Sequence, residues 1–242
     1  ATAAPYALDM GGFLLNGEPY PLHGVTRFED RAGVGNAYRT SQHDEDFDLM
    51  LDMGVNAVRM TNYPHSPYFY SLCDRYGVIV WSELPFTAPE FGVDNGYINK
   101  PAFRDNGKRQ LQEMMRQHYN NTSVLFWGIF SNLSSRGSDD PVPYIRELNQ
   151  IAKIVDPVRK TVAASNQDGD INFATDLIGW SQYLGWRSGS VTDVYIWLQQ
   201  LTGQWQQLRS AIGEYGAGGA IPHQSDTVRR PNLREHGHPE PF

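Results

Sequence analysis

The chain of 242 residues holds a single cysteine, Cys73, which excludes an internal disulfide framework and any cysteine-rich zinc site. Cys73 falls in an amphipathic segment, where a thiol reads as a small buried hydrophobe. Runs of Lys or Arg are also missing, and with a net charge of −7 and a pI near 5.4 the chain lacks the basic surface that a nucleic-acid partner needs. No window reaches the roughly 18 apolar residues of a membrane-crossing helix. Ala1-Thr-Ala-Ala-Pro5 lacks the basic start and apolar run of a signal peptide. The chain opens on Ala1, as expected of a processed product, an excised domain or an engineered chain.

His23, His43, His65, His118, His223, His236 and His238 form no helical His-x₃-His pair with a carboxylate, so no metal site is expected. Gly216-Ala-Gly-Gly219 lacks the Lys-Ser/Thr of a phosphate loop and reads as a plain loop. No cofactor is implied. No internal repeat or low-complexity linker divides the chain, and residues 1–242 read as one domain, with a hairpin cap over 1–19 and an irregular tail over 222–242.

What is present is an alternation of short β-branched runs with longer amphipathic segments, the signature of βα units on a parallel sheet. Strands are expected at Tyr20–Thr26, Asn56–Met60, Val78–Ser82, Val124–Phe130, Thr161–Ser165, Leu177–Trp180 and Ala211–Gly213. Helices are expected at His43–Met53, Pro67–Tyr76, Phe103–Tyr119, Tyr144–Ile154 and Val191–Thr202. Ala7–Gly17 reads as a hairpin turning at Asn16-Gly17. Seven βα steps in series point to a (β/α)₈ barrel. No eighth strand is evident, which predicts a truncated or open barrel, or one completed by a second chain or domain.

Four segments carry chemical information. Phe13-Leu-Leu-Asn-Gly-Glu-Pro-Tyr-Pro-Leu-His-Gly-Val-Thr-Arg-Phe-Glu-Asp30 leads into the first barrel strand, and Met53-Gly-Val-Asn-Ala-Val-Arg-Met-Thr-Asn-Tyr-Pro64 spans the second. Val124-Leu-Phe-Trp-Gly-Ile-Phe-Ser-Asn132 ends the fourth, and Ala211-Ile-Gly-Glu-Tyr-Gly216 the seventh. Together these resemble the catalytic barrel of family 2 glycoside hydrolases, the β-galactosidase and β-glucuronidase group. The resemblance implies a retaining glycosidase with one carboxylate as nucleophile and a second as acid/base. It maps the nucleophile onto Glu214 and a centre-facing arginine onto Arg59. Asn132 stands where the acid/base glutamate is expected.

Further departures surround that change. Phe28 and Asn62 replace two histidines of the family, Ser131-Asn132 replaces Asn-Glu, and the sixth-strand pattern keeps Trp180, Tyr183 and Trp186 but changes Ser181 and Arg187. These residues form the expected substrate site, and Glu83 and Asp30 read as structural charges. Asparagine cannot protonate a leaving group, so a small-molecule carbohydrate substrate should be turned over poorly as an ordinary glycoside. Three readings stay open: an impaired β-glycosidase, a repurposed or engineered barrel using Glu214 as general base among Trp180, Phe28, Phe130 and Trp186, and a non-catalytic carbohydrate-binding or scaffold protein.

Overall fold

The computed structural model describes residues 6–9, 12–88, 96–133, 139–204 and 210–216. The tail expected over 222–242, Trp205 and most of the 216–219 loop lie outside the described residues. A small antiparallel sheet comes first, formed by β1 (Tyr6–Asp9), β2 (Gly12–Leu15) and β3 (Glu18–Pro19), with Asn16 and Gly17 turning between the last two. The barrel strands follow: β4 (Gly24–Arg27), β5 (Ala57–Met60), β6 (Ile79–Glu83), β7 (Val124–Ser131), β8 (Lys160–Ser165), β9 (Leu177–Ser181) and β10 (Ser210–Glu214). Helices α1 (Thr40–Asp52), α2 (Pro67–Tyr76), α3 (Pro101–His118), α4 (Val142–Val155) and α5 (Val191–Gln204) connect them, with a 3₁₀ turn at Asp170–Phe173.

The seven barrel strands are parallel and pair in chain order from β4 to β10. The two outermost strands, β10 and β4, approach each other but share no ladder, so the cylinder is nearly closed along all but one seam. This is the open barrel that the sequence predicts. The first strand begins later than expected, at Gly24, because residues 21–23 form no ladder while the His23 carbonyl accepts from the Asn56 N–H at 2.9 Å.

Local signals set the helix limits. At α2, Pro67 supplies a pre-set φ, the Ser66 hydroxyl accepts from the Tyr68 N–H at 3.3 Å, and Gly77 closes the helix in the left-handed region at φ 73°. The helices bury Phe47, Phe69, Leu72, Leu111, Met115, Ile145 and Leu148 against the outer face of the sheet, each contributing roughly 1.5–3 kcal/mol. A second cluster of Ile79, Leu125, Phe126, Val162 and Leu177 lies at the N-terminal ends of the strands, where Phe13 and Tyr20 pack on it. The Phe13 and Phe126 rings meet edge to face at 6.1 Å.

One buried polar knot ties β7 to the turn after α4. Asp156 accepts from Trp127 Nε1 at 3.0 Å, from Arg159 Nη1 at 2.9 Å, and from the Val158 and Arg159 N–H groups at 3.1 Å each. Burial alone raises the Asp156 carboxyl, but these donors outweigh it and hold the group below the usual carboxylate range. A depressed carboxyl stabilises the fold above its unfolded pKa of about 3.9 and loses that contribution as pH falls through the folded value. Asp156→Ala is expected to lower stability by about 3–5 kcal/mol at neutral pH. Urea denaturation should show this difference shrinking below about pH 4.

Candidate active site

The C-terminal ends of parallel barrel strands are where such folds gather reactive groups, and here the gathering residue is Arg59. Strand alternation turns Val58 and Met60 to the helices and Arg59 to the interior. Its guanidinium is buried and multiply held. Nε donates to Glu83 Oε1 at 2.6 Å, Nη2 to Glu83 Oε2 at 3.3 Å and to Ser131 Oγ at 2.9 Å, and Nη1 donates to Glu214 Oε1. Four strands, β5, β6, β7 and β10, therefore converge on one cation.

Glu214 accepts on both oxygens, since the Tyr183 hydroxyl donates to its Oε2. Burial and that bond to Glu214 push the Tyr183 phenol up, keeping it protonated as the donor. Burial also pushes the fully enclosed Glu83 carboxyl up, against the pull of Arg59. For Arg59 the order is reversed: burial works against the charge, but Glu83 and then Glu214 more than restore it, and its pKa is raised. The result is a fixed cation between two carboxylates, one sealed and one, Glu214, with its side chain 16 % exposed.

Ser131 and Asn132 owe their placement to irregularity. The β7–β8 register shifts between Gly128 and Ser131, and the Ser131 N–H donates to the Phe86 carbonyl at 2.9 Å. Such bulges re-aim side chains at strand ends. Asn132 adopts φ 49° while its N–H donates to Ala164 O at 2.9 Å, a left-handed conformation that asparagine tolerates better than most residues. At β9, Ser181 lies opposite Glu214 in the ladder. The turn that follows carries Tyr183 and Trp186, edge to face at 5.7 Å, and the exposed Arg187 guanidinium lies 4.8 Å from each of their ring centroids.

The remaining expected site residues are placed less centrally. Asn62 follows β5 across a cis peptide bond and is half-buried. Phe28 follows β4 and is 53 % exposed. Trp180 falls on the face of β9 opposite to Gly179 and Ser181, and its ring packs 6.3 Å from Trp197 of α5, within the helix-facing core. Phe130 is buried in that same core. The apolar surround expected for Glu214 is thus replaced by a cation and a phenol. Asp30 is exposed, whereas Glu83 is part of the site. Strand spacing held a signal for this: Glu83 ends its strand as Arg59 nears the end of the neighbouring one.

A second buried cluster steadies the two loops beside the site. Arg27 donates to Asp46 from Nη2 at 2.7 Å and Nε at 3.1 Å, and its guanidinium lies 3.6 Å from Glu29 and 3.1 Å from His65 Nδ1. Glu29 in turn accepts from the Ser66 N–H at 2.9 Å, and its carbonyl accepts from the Tyr63 hydroxyl at 3.1 Å. Burial and the Arg27 charge depress the His65 pKa to about 3, so the imidazole is neutral. The segments bearing Phe28 and Asn62 are thereby held against each other.

Comparison with known proteins agrees with this architecture. Residues 7–217 match the model for glycosyl hydrolases family 2, TIM barrel domain. A β-glucuronidase from Bacteroides fragilis is 47 % identical over 229 residues, covering 95 % of this chain and 33 % of the relative. Among solved structures, an FMN-binding β-glucuronidase from Facaelibacterium prausnitzii L2-6 superposes with a TM-score of 0.85 at 31 % identity, covering 93 % of this chain and 35 % of that one. A putative β-galactosidase from Bacteroides fragilis gives a TM-score of 0.81 at 32 % identity, covering 93 % and 32 %. The chain spans about a third of the length of these relatives. With the family model matched over nearly all of its residues and the barrel in place, the chain belongs to glycosyl hydrolase family 2 and carries that family's TIM barrel domain.

Proposed function

We propose that this barrel is a retaining β-glycosidase centre in which Glu214 is the nucleophile and Asn132 occupies the acid/base position. The observation that carries the reading is the clamp on Glu214, whose two oxygens accept from Arg59 and Tyr183 at the C-terminal end of β10. The ion pair with Arg59 and the bond from Tyr183 hold and aim the carboxylate, the group that attacks in such a centre. The same guanidinium holds Ser131, the residue before Asn132, which supports setting the two positions of the pair at the same end of the barrel. Names of the relatives supply the substrate class, a β-galactoside or the corresponding β-glucuronide.

In the first step a Glu214 oxygen attacks the anomeric carbon and the aglycone departs with the bonding electrons. An Asn132 amide can donate a hydrogen bond to the departing glycosidic oxygen but transfers no proton, so only an aglycone stable as an anion leaves quickly. Water then attacks the anomeric carbon, the glycosyl–Glu214 bond breaks to return the carboxylate, and with no general base at Asn132 the water's proton passes to solvent, which makes this step slow. Several buried atoms around the same strand ends support a polyhydroxylated ligand. Asn62 Oδ1, Asn132 Oδ1, Ser181 Oγ and Trp186 Nε1 have no hydrogen-bond partner among the described residues. Buried polar atoms are costly unless paired, and sugar hydroxyls would pair them. The remaining two thirds of the relatives' length would contribute the domains, or a further chain, that complete the seam and the substrate pocket.

Two outcomes test this reading. A dinitrophenyl β-galactoside or β-glucuronide is expected to give a burst of phenolate followed by slow turnover, and Glu214→Gln should abolish the burst; a burst that survives the substitution would overturn the assignment. Asn132→Glu is expected to raise kcat/KM for alkyl glycosides by roughly 10²–10⁴-fold. The left-handed backbone at that position should at the same time cost the glutamate variant about 1–2 kcal/mol of stability, read as a lower melting temperature.

A further inference from the structure

Beneath the Arg59 fork lies a side chain that the chemistry above does not use. Strand β6 places Trp81 two residues before Glu83, on the same face, and the parallel register sets Trp81 directly opposite Arg59. The Arg59 guanidinium carbon lies 4.8 Å from the indole centroid. Glu83, Ser131 and Glu214 hold the fork along its edges. Contacts confined to the edges of a planar group leave it able to rock out of plane, whereas a ring against its face removes that motion.

The indole reaches this place through a slot that only glycine leaves open. A Cβ at Gly179 of β9 would stand 2.5 and 2.7 Å from Trp81 Cη2 and Cζ3, and one at Gly128 of β7 would stand 2.6 Å from both Trp81 Nε1 and Glu83 Cγ, so that glycine clears the indole and the Glu83 stem together. A third glycine, Gly213, lets β10 close on β9, since its Cβ would meet the Gly179 backbone at 3.1 Å. One ring therefore crosses the barrel from β6 to β9, the strand paired with the one that bears Glu214. The ring is not held there by its nitrogen, because Trp81 Nε1 is buried without a hydrogen-bond partner among the described residues. What the indole offers is its face, and Arg59 lies over it.

We propose that Trp81 is a positioning residue: its indole face fixes the plane of the Arg59 guanidinium and through it the Glu214 carboxylate, and Gly128 and Gly179 are the clearance that the indole requires. A filler of the barrel interior would be replaceable by any apolar group of adequate size. A platform requires an aromatic face. Trp81→Leu and Trp81→Phe separate the two roles.

The test reads the full chain in two ways: ¹⁵N relaxation of the Arg59 Nε–H group, and the rate at which a dinitrophenyl 2-deoxy-2-fluoroglycoside, whose aglycone leaves as a stable anion without an acid, labels Glu214. The labelling arm rests on the nucleophile reading; the relaxation arm does not. Trp81→Leu is expected to mobilise the Arg59 Nε–H well below the melting temperature and to slow the labelling step about tenfold, with half-saturation unchanged. Trp81→Phe should stay within about threefold of the parent. Gly179→Ala, which displaces the ring edge while keeping Trp81, should reproduce the leucine phenotype, and adding Trp81→Phe should relieve it. If Trp81→Leu does not fold, Gly179→Ala decides by the same readouts. An Arg59 as rigid as in the parent, with labelling within about twofold, overturns the platform in either variant. A parent protein that takes no label counts against the nucleophile reading, and Arg59 relaxation then decides the platform alone.

Discussion

A single buried cation organises the C-terminal face of this barrel. Arg59 brings its charge into an interior from which water is excluded, a placement that is costly unless each donor finds an acceptor. Glu83 supplies the sealed counter-charge, Ser131 a neutral acceptor, and Glu214 the partly exposed counter-charge. Removal of either carboxylate leaves guanidinium N–H donors without their acceptor, so the two are coupled though they sit on β6 and β10. The convergence also explains why β7 breaks its register near Ser131: a regular ladder would direct that hydroxyl elsewhere.

The fold was legible to within a few residues for nearly every barrel strand and helix. Val124–Phe130 and Pro67–Tyr76 announce themselves through an unbroken apolar run and a Pro-to-Gly77 frame respectively, local signals that tertiary structure had no reason to override. The first barrel strand was less legible, because Tyr20-Pro-Leu has the composition of a strand but Pro21 cannot donate to a ladder. At the N-terminus the Asn16-Gly17 turn stands where the sequence sets it, whereas the stretch before it divides into two strands, Tyr6–Asp9 and Gly12–Leu15, where one hairpin arm is expected.

Within the site, Glu214, Arg59, Ser131 and Tyr183 meet, and the residues that matter through register carry no motif. Trp180 was grouped with them by its neighbours in sequence, yet alternation sends it to α5 while Ser181 faces Glu214. Glu83 was set aside as a structural charge, and it is structural in the sense that it holds the cation. Neither strand alone reveals that role, since it needs the β5–β6 register to bring the two side chains together.

The seam between β10 and β4 bears on how firmly Glu214 is held in time. Among the described residues β10 is hydrogen-bonded on one side only, to β9, and its Ser210, Ala211 and Ile212 are exposed. An edge strand exchanges its amide protons through local opening far more readily than an interior one. Arg59 from β5 and Tyr183 from the turn after β9 therefore tether the carboxylate across that seam, side-chain anchors added to the one ladder that holds its strand.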